Sequence, residues 1–231
     1  MVMELSKRLA TVARHVPVGA TVADIGTDHA YLPVYLVRRG ISPRVVGVDI
    51  NQGPFDAAHL TVRASGLDEY IDLRMGDGFN IIKPGEVSVV VVAGMGGKTI
   101  CKILAQGREV LQHLRRLVLQ PMRDIVMVRK WLTDNGWRLM DEEMVTEDGH
   151  YYVIIVAEPG FEKIKNSFAL KLGPRLLEKK DAVLREFLKR RIIEINIILG
   201  EITSAHSSEA NTRAQVLKQE AEEIEEVLSK W

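Results

Sequence analysis

Apolar residues follow two rhythms along this chain, and the change between them divides it. From Thr21 to Glu158, short apolar runs alternate with stretches of helical spacing. The runs Thr21–Ile25, Val45–Asp49, Ile71–Met75, Val87–Ala93 and Leu117–Gln120 have strand length and are rich in β-branched residues. Between and after them, helical spacing covers about Leu32–Arg39, Pro54–Ser65, Gly97–Leu104 and Ile125–Thr133. Trp137–Glu142 and Tyr151–Glu158 read as a strand pair joined through Glu147-Asp148-Gly149. Upstream, Leu5, Leu9, Val12 and Val16 place a helix over Met3–Val16, stopped by Pro17 and Gly19. Repeated strand–helix units closed by an edge hairpin predict an α/β fold. The expected form is a Rossmann-like, seven-stranded, mostly parallel sheet with helices on both faces.

From Phe161 onward no strand signal remains. Pro174 is expected to open a long helix running to Gly200. A second helix carries Ala214, Leu217, Ala221, Ile224, Leu228 and Trp231 at alternating spacings of three and four, a heptad seam. Leu177, Leu184, Leu188, Ile192, Ile195 and Leu199 offer the facing stripe, and the polar stretch Thr203–Asn211 is the expected turn. The prediction is a C-terminal antiparallel helical hairpin, or coiled coil, and two domains, residues 1–160 and 161–231. Eight basic and four acidic residues lie between Lys171 and Gly200, against three basic and six acidic between Glu209 and Trp231. The first helix therefore suits a phosphate backbone. Mutual neutralisation within the hairpin, a packing appendage and a dimer contact remain open alternatives.

Composition narrows the setting. The 231 residues carry 31 basic and 31 acidic side chains, so net charge gives no nucleic-acid signal. A single cysteine, Cys101, excludes an intrachain disulfide framework and suits a reducing compartment. No apolar run approaches the roughly 18 residues needed to span a bilayer. The first residues lack a signal-peptide core. A cytoplasmic protein is expected, with no membrane partner and no metal; the oligomeric state is open.

The chemistry concentrates at strand ends. Asp24 lies in the first run, followed by the Gly26 turn; Asp28 and Ala30 stand where a dinucleotide fingerprint would place glycines. An acid there repels a pyrophosphate. It tolerates S-adenosylmethionine, which has no phosphate and carries a sulfonium and an ammonium. Asp24 is the candidate acceptor for that ammonium, and Gly26 allows close backbone approach. Asp49 is placed to accept ribose hydroxyls, and Asp77-Gly78 to hold the adenine, with Phe79 as an apolar wall. An acid ending one strand is often only a helix cap; three in successive units argue for a cofactor site. After the fourth run, Ala93-Gly94-Met95-Gly96-Gly97 forms a loop of low bulk, expected to admit a flat base beside the transferred methyl. Gly97-Lys98-Thr99 lacks the upstream glycine of a P-loop.

These segments together resemble the bacterial tRNA (adenine(22)-N(1))-methyltransferase family. The resemblance rests on LSKRLATVA, ADIGTDHAYLP, QGPFDAA, GDGF, VAGMGG, LQP and EDGHYY, in order over about residues 5–160. Where the family usually continues LQP with Asn, this chain has Met122. The resemblance implies a tRNA substrate and methyl transfer to adenine N1, an in-plane lone pair needing alignment more than a strong base. Asp28 and His29 are the candidate catalytic residues, Asp28 to stabilise the cationic product ring; His29 as a mere loop residue is an equal alternative. Asp28 is also expected at the cofactor, and Ala93 and Gly94 join that set. Met95, Gly96, Gly97, Gln120 and Pro121 are expected at the substrate, and Tyr31 to stack on the base or to serve as core. Lys7, Arg8, Lys189, Arg190 and Arg191 are expected to hold RNA, whereas Arg38, Arg39, Arg115 and Arg116 are expected solvated on the far side. A small-molecule or protein methyltransferase and a non-catalytic nucleotide-binding protein are the competing classes.

Overall fold

The computed structural model describes residues 4–202 and 208–231. Seven strands hydrogen-bond into one sheet: β1 (Val22–Ile25), β2 (Val45–Asp49), β3 (Ile71–Met75), β4 (Val89–Gly96), β5 (Arg116–Arg123), β6 (Trp137–Glu147) and β7 (His150–Pro159). Their order is β3-β2-β1-β4-β5-β7-β6. β1 to β5 pair in parallel, and β7 runs antiparallel to both of its neighbours, β5 and β6. β1, β2 and the first half of β4 are buried along their whole length, which is why they read as unbroken apolar runs. β3 lies at the edge and alternates instead. Its Arg74 is clasped by Asp72 and Glu86, and these charges block further strand pairing there.

Helices cover both faces: α1 (Lys7–Arg14), α2 (Tyr31–Arg38), α3 (Gln52–Ser65), α4 (Gly97–Gln106), α5 (Arg108–Leu111) and α6 (Ile125–Asp134). One core cluster joins Val12, Leu36, Val91, Val118 and Ile154, and another joins Val34, Ala58 and Val62. α1 is shorter than expected, because Ser6 caps it by accepting the Leu9 N–H at 3.3 Å; residues 1–3 lie outside the described residues. The expected hairpin forms, but longer. Its turn, Asp148-Gly149, has φ of 49° and 78°, so pairing runs from Glu147↔His150 down to Trp137↔Pro159. β4 also extends past its expected end at Ala93 into the glycine segment, which is a bulged strand rather than a loop.

Two compact units divide the chain, Met1–Arg175 and Leu176–Trp231. The division falls later than 160/161 because a buried ion pair gathers the segment after β7 into the first unit. Arg129 on α6 and Glu142 on β6 are 1% and 0% exposed and meet at 2.6 Å. Arg129 also donates to the carbonyls of Leu170 and Lys171, the end of α7 (Ser167–Leu172), at 3.1 and 2.9 Å. Glu142 accepts the Arg175 N–H at 3.0 Å, and Glu162 pairs with the Arg175 side chain. α7 has no apolar periodicity strong enough to predict; Asn166 caps it by accepting from Phe168 and Ala169.

In the second unit the expected single helix from Pro174 is broken. α8 (Pro174–Glu178) stops, Lys180 turns left-handed at φ 51°, and Asp181 caps α9 (Ala182–Ile202) by accepting from Val183 and Leu184. α10 (Ser208–Ser229) follows, so Ser208–Asn211 belong to a helix rather than to the turn; residues 203–207 lie outside the described residues. Lys180 at the start reaches the Lys230 carbonyl at the end, and Arg191 midway meets Glu220, so α9 and α10 are antiparallel. Leu184, Leu188, Ile195, Leu217 and Ile224 are buried in their seam.

Removing one member of the Arg129–Glu142 pair strands a buried charge. Glu142→Leu is expected to cost about 3–5 kcal/mol of stability. Urea unfolding checks this, and a loss below ~1 kcal/mol would show that the pair holds nothing.

Candidate active site

The carboxyl ends of β1, β2 and β4 open onto a cleft of about 600 Å³, walled on one side by Thr99, Lys102 and Gln106 of α4. Asp24 lies in its floor, 5% exposed. Thr27 Oγ1 donates to Asp24 Oδ2 at 2.9 Å. Burial pushes the Asp24 carboxyl up from its ordinary 3.8 to about 7; the Thr27 hydrogen bond opposes this and the Asp49 charge adds to it. Asp49 is 6% exposed and faces two loops at once. Its Oδ2 accepts the Asp28 N–H at 3.1 Å and its Oδ1 the Asn51 N–H at 2.9 Å. Each oxygen keeps a further lone pair for a ligand, and the carboxylate cannot rotate.

Asp28 and Ala30 are both left-handed, at φ 51° and 56°, in the turn between β1 and α2. That conformation is costly for non-glycine residues and persists where the surroundings enforce it. Asp28 Oδ1 lies 3.6 Å from His29 Nε2, with both side chains largely exposed. His29 stacks on Tyr31 with centroids 5.3 Å apart and planes 11° off parallel. Tyr31 is 43% exposed, so the alternative of a core role falls and an open ring face remains. Asp77 and Gly78 line the far end of the cleft. Phe79 does not: it is buried beneath Gly107, where a Cβ would meet its ring at 2.3 Å. Ile103, beside Gly78, supplies the apolar wall instead.

The glycine segment divides by role. β4 pairs with β5 as Ala93↔Gln120 and then Met95↔Pro121, leaving Gly94 as a bulge at φ 80°. Ala93, Gly94 and Met95 line the cleft, with the Met95 methyl packed where a Cβ on Gly26 would lie. Gly96 and Gly97 do not line it. A Cβ on Gly97 would sit 2.6 Å from the Asp124 carbonyl oxygen, so this glycine seats α4 against the β5–α6 turn. Gly96 faces Arg123. Both are therefore packing positions rather than an open path for a base.

Of the residues expected at a site, Arg8, Asp24, Gly26, Asp28, His29, Tyr31, Asp49, Asp77, Gly78, Ala93, Gly94 and Met95 converge on this cleft. Gln120 and Pro121 lie behind its lining, with Gln120 fully buried. Lys7 is exposed on α1 outside the lining. Lys189, Arg190 and Arg191 belong to the other unit. There Arg190 pairs with Glu186 while staying 60% exposed, and Arg191 is held by both Glu220 oxygens. Arg116 is likewise not solvated, being held by Glu158 and the His15 carbonyl. The residues missed are Thr27, Asn51 and the α4 stripe Thr99, Lys102 and Gln106. Polar residues at that helical spacing, directly after the glycine segment, were the available signal. Among the described residues no group of three or more His, Cys, Asp or Glu could hold a metal, and no helix is long and apolar enough to cross a membrane.

Two buried carboxyls, one poised to lose its proton beside a cation and one with fixed acceptors, fit a ligand with an ammonium and a ribose and without phosphate. With its sheet order, that acceptor set places the molecule among the Rossmann-like, S-adenosylmethionine-dependent methyltransferases. The comparisons with known proteins narrow the class. Residues 22–226 match the family model described as tRNA (adenine(22)-N(1))-methyltransferase, and the chain belongs to that family. A Bacillus subtilis tRNA (adenine(22)-N(1))-methyltransferase is 39% identical over 96% of this chain and 95% of its own. A Streptococcus pneumoniae protein solved with S-adenosyl-L-methionine superposes with a TM-score of 0.86 at 34% identity, covering 97% of this chain and 100% of that one. An M. capricolum enzyme solved with S-adenosyl-homocysteine gives 0.82 at 25% identity, covering 98% and 99%.

The raised Asp24 carboxyl has a consequence for folding. The native state keeps a proton that the unfolded chain releases near 3.8, so ionising Asp24 costs stability as pH rises from there to about 7. Relative to Asp24→Asn, the unliganded wild type is expected to lose on the order of 4 kcal/mol across that window. Urea unfolding at stepped pH checks it; parallel curves for the two proteins would refute the buried, protonated carboxyl.

Proposed function

We propose that this cleft transfers a methyl group from S-adenosylmethionine to N1 of adenine 22 in tRNA, in the cytoplasm. The observation that carries the reading is a built carboxylate cleft inside a chain whose residues 22–226 match that family. Asp24 takes the cofactor's ammonium, Asp49 its ribose hydroxyls, and Asp77-Gly78 its adenine. Ala93 and Gly94 border the methyl. When bound, the cofactor supplies an electrophilic methyl carbon and its own leaving group. The adenine N1 lone pair forms the new N–C bond as the C–S bond breaks, its electrons return to sulfur, and the positive charge passes to the ring.

The chain's own residues align that reaction and receive the charge. Asp28, with His29 beside it, stands at the cleft mouth as the carboxylate nearest an incoming base. The stacked His29–Tyr31 pair offers a flat surface for an adenine withdrawn from pairing, since a paired N1 is inaccessible. Lys7 supplies a surface contact to RNA. The first unit is the catalytic one, and the helical hairpin serves as an arm for the folded RNA.

Incubation with labelled S-adenosylmethionine and unmodified tRNA is expected to yield 1-methyladenosine at position 22; label in another nucleoside, or only in free adenosine, would refute the reading. Two variants separate the roles. Asp49→Ala is expected to weaken cofactor binding by about 1–3 kcal/mol, read by calorimetry. Asp28→Ala is expected to lower kcat more than cofactor affinity; equal losses would move Asp28 into the cofactor set.

A further inference from the structure

The bulge at Gly94 leaves a problem that the sheet cannot solve. Ala93 pairs with Gln120 and Met95 with Pro121, so the Gly94 N–H has no place in the β4–β5 ladder. A side chain takes it. Gln120 Oε1 accepts from Gly94 N at 3.0 Å and from Arg8 Nη1 at 2.7 Å. Gln120 is fully buried, and its Nε2 donates to the Pro121 carbonyl at 3.1 Å and lies 3.5 Å from Met122 Sδ. Both groups facing Oε1 are donors, so the amide has one workable orientation.

Arg8 is fixed from three strands. Its backbone N–H donates to Glu147 Oε1 on β6 at 3.0 Å, its guanidinium lies 5.7 Å from the centre of the Tyr152 ring on β7, and Gln120 holds it from β5. A cation that only gathers phosphates needs no such seat; exposed Lys7, next in the chain, fits that task. The positive charge of Arg8 also opposes a ring that becomes cationic, so Arg8 can assist methyl transfer through geometry and not through charge.

We propose that Arg8 and Gln120 form a strut that sets the Gly94 turn against the reacting centre, and that both are positioning residues for methyl transfer. This rests on the methyltransferase reading of the cleft.

The test uses the full-length protein, an unmodified tRNA transcript and S-adenosylmethionine. Arg8→Ala and Gln120→Leu are each expected to lower kcat about tenfold to a hundredfold, as small misplacements at a reacting centre do. Cofactor affinity, tRNA affinity and the salt dependence of tRNA binding are expected to change by less than about twofold. Arg8→Lys keeps the charge, loses the planar fork and is expected not to rescue. Gln120→Glu keeps an acceptor for both donors and is expected to retain more turnover than Gln120→Leu. The double variant Arg8→Ala/Gln120→Leu is expected to lose no more than the worse single, because the two act as one unit. Should Gln120→Leu fail to fold, the Arg8 variants carry the test. The strut is overturned if Arg8→Ala raises kcat, or if the losses multiply. It is also overturned if Arg8→Ala weakens tRNA binding and cuts the salt slope by about one unit at unchanged kcat, the mark of a phosphate anchor. A wild type active on tRNA with such variants sinks the strut alone; an inactive wild type sinks the strut and the methyltransferase reading together.

Discussion

The parallel register of three buried strands is the constraint on which the cleft depends. β1 pairs with β2 as Ile25↔Val48 and with β4 as Ile25↔Val92, so these three residues lie at one level of the sheet. The residues that follow, Gly26, Asp49 and Ala93, emerge at one edge. A slip of one residue would turn each strand's side chains to the opposite face and carry the carboxylates away from each other. Asp49 then converts alignment into geometry by holding the loops after β1 and β2 with one carboxylate.

Further from the cleft, carboxylates on β6 hold the molecule together. Glu142 anchors α6 and the segment after β7. Glu143 takes Arg14 and His15, and Glu147 takes the backbone of Arg8, so α1 is clamped along its length. An edge strand thus fixes a helix that in turn reaches the glycine bulge. The hairpin unit is stabilised separately, by its own leucine and isoleucine seam and the Arg191–Glu220 pair.

Much of this was legible in the sequence, for identifiable reasons. β2 and β3 match their expected bounds because each is a short run bounded by turn residues. Asp24, Asp49 and Asp77 were recognisable because each stands at the end of an α/β unit. The bulge was not legible: AGMGG is compatible with a loop, and what makes it strand is pairing with β5 together with a side chain from Gln120. Gly97 looked like space for a substrate because a sequence does not display the Asp124 backbone that presses on it. The break before α9 had a signal in Asp181, a helix-capping residue, but it was hidden by apolar spacing that continues on either side. The ion pairs of Arg116, Arg129 and Arg191 were invisible, since charge alone does not reveal a partner far along the chain.

The left-handed turn at Asp28 and Ala30 has a kinetic meaning. A flexible loop would have to search for this shape after each encounter with cofactor, and part of the contact energy would go into ordering it. Here the shape is already present, enforced by Asp49 and by the complete burial of Ala30. The energetic burden falls on folding, once, rather than on every catalytic cycle. Capture and release of the cofactor can then proceed without rebuilding the loop.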